Sequence, residues 1–197
     1  MICVRSFPRV APRLLQAPKL RTFTLREGSA MATKNEQAQK QSTTTNGQPA
    51  ISRERLIELL NEDLAREYQA IIAYVVYSQV IKGAQFMHIA SELEQHAKEE
   101  LDHALIVSKQ IDYLGGQPTV QPMPVRTSKR AEEMLQLDLE NENETVRQYR
   151  ERVRQCEALG EFAMAEHIRE ILVQEQDHQI ELATALGKEV PDMSKRA

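Results

Sequence analysis

Residues 86–114 read FMHIASELEQHAKEELDHALIVSKQIDYL. Phe86, Ile89, Leu93, Val107 and Leu114 keep an alternating three–four spacing, and His96, Glu100, His103 and Gln110 occupy the intervening places of the same series. A repeat held this long puts one stripe of a helix against neighbouring helices. Glu100-Leu-Asp-His103 therefore stands where leucine would serve packing best.

The same stripe recurs three times. From Ser52, which can cap a helix, it runs Ile57, Leu60, Leu64, Glu67, Ile71, Tyr74, Ser78, Ile81, and Lys82-Gly83 breaks it. From Ser128, which can cap a third helix, it runs Leu135, Leu139, Glu142, Val146, Tyr149, Val153, Cys156. After Gly160 it runs Met164, Ile168, Ile171, Glu175, His178, Leu182, Ala185, with Gly187 and Pro191 as stops. Glycine and aromatic residues are sparse, and straight-chain helix formers dominate. The class predicted is all-α, a four-helix bundle.

Axial distances place the polar residues at one level. Glu67 lies about 23 Å before Lys82 and Glu100 about 24 Å after Ala84, at 1.5 Å per residue. A tight hairpin brings them together, and Glu142 and Glu175 repeat the arrangement in the second half. Residues 115–127, with Pro118, Pro122 and Pro124, reach at most about 43 Å. Parallel second and third helices need about 42 Å. The linker thus predicts one long crossover between these helices, the ferritin-like arrangement.

In that fold Glu67, Glu100, His103, Glu142, Glu175 and His178 converge. Both Glu-x-x-His motifs lie 33 residues after another seam glutamate. A lone Glu-x-x-His is a weak signal, but this doubled set is that of di-metal carboxylate bundles. No lysine or arginine shares the seam, so four buried carboxylates need divalent cations to offset their repulsion. Residues i and i+3 share a helix face, so Glu and His can meet one ion. Oxygen-rich coordination favours iron or manganese over a closed zinc site. By pseudo-symmetry Glu100 and Glu175 bridge, while Glu67 with His103, and Glu142 with His178, are terminal. Tyr74 and Tyr149 each follow a glutamate by seven residues, as core side chains with a buried hydroxyl bond or, for Tyr74, as a one-electron donor. His96 is either a satisfied core histidine or a relay for iron, and His88 and His167 fall on the surface.

Composition narrows the function classes. Residues 1–26 hold six basic residues and no acid, so removing them from the formal −4 leaves −10 on residues 27–197. An acidic body argues against nucleic-acid binding and suits a handler of cations. No apolar run approaches the roughly 20 residues of a membrane span, and Cys3 and Cys156 form neither a disulfide framework nor a metal motif. A cytoplasmic setting is the expectation. Residues 1–50 read as a disordered leader, either an over-extended start with translation from Met31 or an Arg-rich transit-like segment. The bundle is expected over 51–187 and a short tail without a fifth helix over 188–197.

Roughly residues 52–187 resemble bacterioferritin, a member of the ferritin-like di-iron carboxylate family. The resemblance is carried by Leu60-Asn-Glu-Asp-Leu-Ala-Arg-Glu67 with Ala70-Ile71 and Tyr74, by Glu100-x-x-His103-Ala104 with Leu114-Gly-Gly-Gln-Pro118, by Asp138-Leu139-x-x-Glu142 and by Glu175-x-x-His178. It implies a ferroxidase centre of two irons per subunit on these six ligands, dioxygen or hydrogen peroxide as oxidant, and a redox-active Tyr74. It also implies a homo-oligomer, from a dimer up to a hollow 24-subunit storage shell. Leu101 stands where the family's haem-ligating methionine follows the glutamate, so haem is not expected. A rubrerythrin-like peroxidase shares the fold but usually carries a Cys-x-x-Cys domain, and a non-catalytic metal-stabilised interaction protein is the reading from another class.

If the leader contributes nothing to packing, a chain starting at Ser52 keeps the helix content and melting temperature of the full chain by circular dichroism. A large loss of stability would show that it packs on the bundle.

Overall fold

The computed structural model describes residues 51–192. The leader, Cys3, the start at Met31 and the last five residues lie outside the described residues. The elements are α1 (Arg53–Val80), a 3₁₀ turn (Ala84–Phe86), α2 (Met87–Tyr113), α3 (Ala131–Ala158) and α4 (Phe162–Ala185), with no strand among the described residues.

The helix ends follow local chemistry. Ser52 caps α1, its hydroxyl accepting from the Arg55 N–H at 3.1 Å. Gly115 ends α2 by taking φ +86° just after the Leu114 cap, and Gly116 lets the chain pass close to α1, where a Cβ would lie 2.5 Å from Ile57 Cγ2. The expected Ser128 cap of α3 is corrected. Its hydroxyl accepts from the Arg130 N–H at 3.1 Å and donates to Glu133 at 2.5 Å, so it closes a turn. The helix begins at Ala131, after an extended Arg130 without a side-chain cap.

Cross-helix pairs establish the topology. Asp63 meets Arg152, Glu67 meets Tyr149 and Tyr74 meets Glu142, so α1 and α3 are antiparallel. His96 meets Glu181, His178 meets Glu99 and His103 meets Gln174, so α2 and α4 are antiparallel. The α1–α2 hairpin is antiparallel too, with Gln79 on Glu94 and His103 near Glu67. Hence α2 and α3 run parallel, and residues 115–130 must traverse the bundle. They lie along α1: Asn61 binds Gln117 and Thr119, Ala65 accepts from Met123, and Gln69 binds Pro124. The predicted ferritin-like crossover is present.

Two apolar clusters hold the ends of the bundle. One contains Leu56, Leu60, Leu64, Val107, Ile111, Met164 and Ile168, the other Tyr77, Leu93, Met134, Leu135, Leu139 and Leu182. Each fully buried aliphatic side chain contributes about 1.5–3 kcal/mol. Between the clusters lies the polar layer. The buried stripe is wider than the seam, because each helix packs against two neighbours: Asp63, Tyr77, Asp138, Arg152 and Gln179 are buried beside it. Ile57, Ile71 and Val153 are only half-buried, and Ala185, at the last turn of α4, is exposed.

A buried ion pair locks α1 to α3. Arg152 binds Asp63 through Nε at 2.6 Å and Nη2 at 3.2 Å, and Arg66 reaches the same carboxylate at 2.8 Å. Arg152 and Asp63 are each 1% exposed. Removing either partner strands a charge, so Asp63→Ala or Arg152→Ala should lower unfolding free energy by about 3–5 kcal/mol in denaturant melts. The exposed Arg55–Glu58 pair should contribute far less by the same measurement, because solvent screens it.

Candidate metal centre

All six seam ligands predicted from the sequence meet in the polar layer, each at most 2% exposed. They form two overlapping groups whose ligand atoms lie within 4.8 Å of one another: Glu67, Glu100, His103, Glu175, and Glu100, Glu142, Glu175, His178. Glu100 and Glu175 belong to both, and each turns one oxygen to each histidine. His103 Nδ1 lies 2.9 Å from Glu100 Oε2 and 3.1 Å from Glu175 Oε1. His178 Nδ1 lies 3.1 Å from Glu100 Oε1 and 3.6 Å from Glu175 Oε2.

Outer contacts orient this set. His103 Nε2 donates to the Gln174 amide oxygen at 2.6 Å and His178 Nε2 to Glu99 at 2.9 Å, which turns both Nδ1 atoms inward. Tyr149 donates to Glu67 Oε1 and Tyr74 to Glu142 Oε1. The remaining Oε2 of each, Glu100 Oε1, both Glu175 oxygens and His178 Nδ1 are buried without a hydrogen-bond partner. Buried acceptors without partners are costly, and these converge where a cation would satisfy them. A cavity of about 10 Å³ lies among the four carboxylates. The donor set could hold two divalent ions.

Protons balance the empty cluster. Burial alone would lower both imidazoles, but the close approach of the Glu100 and Glu175 carboxylates outweighs it, raising His103 and pushing His178 up to about 12. Burial, with the charges of Glu175 and Glu100, lifts Glu67 and Glu142 well above the carboxylate range. Burial also opposes charge on Glu100 and Glu175, yet the imidazole hydrogen bonds hold both below it. Two imidazoliums then face two carboxylates and two neutral acids. The repulsion expected from sequence is thus relieved by protons in the empty site, and buried Arg152 serves Asp63 instead.

His96 is 2% exposed, donates from Nε2 to Glu181 Oε2 at 2.6 Å and stacks on His178 at 4.0 Å. Burial, then the neighbouring His178, lower its pKa. His88 and His167 lie towards the surface. Sequence reasoning missed Glu99, Gln174 and Glu181. A signal for the first two existed: each precedes a motif, in Glu99-Glu100-x-x-His103 and Gln174-Glu175-x-x-His178, and each serves the histidine of the other motif.

The ferritin-like domain family matches residues 57–189. The chain belongs to the ferritin-like family. It is similar to bacterioferritin of Brucella melitensis, 26% identical over 68% of this chain and 88% of the relative. A bacterial ferritin of Synechocystis is 29% identical over 72% and 88%. Among solved structures, a ferritin-like diiron-carboxylate protein of Bacillus anthracis superposes with a TM-score of 0.66 at 33% identity, over 69% of this chain and 99% of that one. The bacterioferritin-related dodecameric thioferritin of Bacteroides fragilis, at 24% identity and a TM-score of 0.65, supports the fold alone.

Ion loading must displace the protons of His103, His178, Glu67 and Glu142. Adding Co(II) to the metal-free protein near pH 7 should release up to about four protons per pair of ions, read in weakly buffered solution. Affinity should fall as pH falls, because protons then compete better for the raised groups. Release of none would mean the ions bind elsewhere.

Proposed function

We propose that this chain is a ferroxidase of the iron-storage type, with Fe(II) as its substrate. The observation that carries the reading is the sharing of Glu100 and Glu175 between two four-ligand groups that agree with pseudo-symmetry. Glu67 and His103 hold one ion, Glu142 and His178 the other, and Glu100 and Glu175 bridge them. The bacterioferritin relatives and the diiron-carboxylate neighbour support iron as the metal.

Each Fe(II) gives up one electron. Dioxygen takes the two electrons and two protons and leaves as hydrogen peroxide; with peroxide as oxidant, the same electrons and protons yield water. The chain's own residues set the stage for this. Bridging carboxylates hold the pair at one level, the outer contacts of Gln174 and Glu99 fix both imidazoles, and the two apolar clusters restrict water to the polar layer. Burial, with the charge of Glu142, holds Tyr74 well above its usual pKa, so its phenol stays protonated. As a one-electron donor Tyr74 would replace one Fe(II) in that count, its electron passing to the oxidant and its phenolic proton to the Glu142 carboxylate it already binds. Storage of the oxidised iron in a homo-oligomer is part of the same proposal, and light scattering after size exclusion reads the mass. No helix of the described residues is long and apolar enough to cross a membrane.

Glu100→Ala and Glu175→Ala should slow Fe(II) oxidation by more than the roughly 10- to 100-fold typical of losing an outer partner. Glu142→Gln should also lose fast oxidation while the metal-free melting temperature stays unchanged, because the amide mimics an acid that is neutral in the empty site. Stopped-flow absorbance and calorimetry check both. Wild-type oxidation in all three variants would remove these residues from the centre.

A further inference from the structure

The small cavity beside the four carboxylates is also lined by residues that the centre does not use: Arg66, Gln69 and Ala70 of α1, and Asn141 and Thr145 of α3. They flank Glu67 and Glu142 on their own helices, so the cavity lies on the α1–α3 side. Ala70 contributes only a methyl, which leaves the space open. A volume of about 10 Å³ suits one molecule on the scale of water.

This wall carries unbalanced positive charge. Asp63 is one carboxylate shared by two guanidiniums, Arg152 at 2.6 and 3.2 Å and Arg66 at 2.8 Å. Arg152 directs further donors to Gln148 and Gln155, whereas Arg66 Nε is buried without a hydrogen-bond partner. The Arg66 side chain is 15% exposed, so it reaches from solvent to the cavity. A divalent cation approaching here is repelled by that guanidinium. Gln69 is fixed by its Nε2, which donates to the Pro124 carbonyl at 2.9 Å, and its amide oxygen can accept from a guest.

A small molecule with both donors and acceptors fits such a lining. Hydrogen peroxide offers two O–H donors and two acceptor oxygens, while dioxygen has no donor and accepts only weakly. One guanidinium, two amides and one hydroxyl supply the complementary groups.

We propose that Arg66, with Gln69, Asn141 and Thr145, forms the oxidant pocket of the centre, and that Arg66 makes it select hydrogen peroxide over dioxygen. This rests on reading the six-residue centre as a ferroxidase. Two Fe(II) each give up one electron, the O–O bond of the peroxide breaks, and two protons from solvent complete two water molecules. An Arg66 that serves only to pair with Asp63 predicts no effect on the choice of oxidant.

The test compares the full chain with Arg66→Gln, Thr145→Val and Glu100→Ala. Arg66→Gln leaves Arg152 on Asp63, Thr145→Val keeps the side-chain shape, and circular dichroism confirms the fold. Fe(II)-loaded protein is mixed without air in a stopped-flow cell with either oxidant at equal concentration. The unaltered chain should react faster with peroxide. Arg66→Gln should lower the peroxide-to-dioxygen rate ratio roughly tenfold, as expected for one hydrogen bond from a charged group, and through KM for peroxide rather than kcat. Thr145→Val should shift the ratio in the same direction. A second readout needs no turnover. Azide, a small anion, titrated into the Co(II)-loaded protein and followed by visible absorbance, should bind roughly tenfold more weakly in Arg66→Gln. An unchanged rate ratio or an unchanged azide affinity in Arg66→Gln overturns the role of Arg66. Should that variant not fold, an unchanged ratio in Thr145→Val overturns the pocket in its place. Unchanged Fe(II) oxidation in Glu100→Ala is a separate result, which overturns the centre itself.

Discussion

Six ionisable groups buried at one level of a helical bundle must be made electrically neutral, and the rest of the structure is arranged around that requirement. An uncompensated buried charge costs several kcal/mol even after relaxation, and here four carboxylates share one small space. Hydrogen bonds from His103 and His178 keep Glu100 and Glu175 charged, while burial keeps Glu67 and Glu142 protonated. Two divalent cations could replace four protons without changing the net charge of the layer. That equivalence lets the same fold exist empty or loaded.

Buried carboxylates add little to packing, so the ends hold the bundle. The two apolar clusters do so, one on each side, and the Asp63–Arg152 pair pins α1 to α3 just outside the layer. The two tyrosines complete the division of labour. By donating to the outer oxygens of Glu67 and Glu142, Tyr149 and Tyr74 leave the inner oxygens free. Glu99 and Gln174 do the same for the imidazoles, crossing between helices so that each motif orients the histidine of the other.

The centre is also asymmetric in its surroundings. On the α2–α4 side only the His178 ring stands between it and an acidic cleft. On the α1–α3 side a small cavity lined by Arg66, Gln69, Asn141 and Thr145 adjoins the carboxylates, and Tyr74 and Tyr149 bind Glu142 and Glu67.

The bundle, the crossover and the convergence of the six seam residues were legible in the sequence, since a 3,4 repeat places residues on a helix stripe whatever packs against it. The linker's limited reach also constrained the order of the helices. Tertiary structure alone decided which flanking residues are buried, because that depends on the two neighbours of each helix rather than on its own periodicity. Asp63 and Arg152 lie 89 residues apart, and nothing in either local pattern marks them as partners. Ser128 satisfied the composition of a cap, yet its hydroxyl was claimed by a turn. Protonation likewise belongs to the assembled fold: Glu67 and Glu100 are the same residue type at equivalent seam positions, yet burial and the charges of Glu175 and Glu100 raise the first, while against the same burial the contacts of His103 and His178 lower the second.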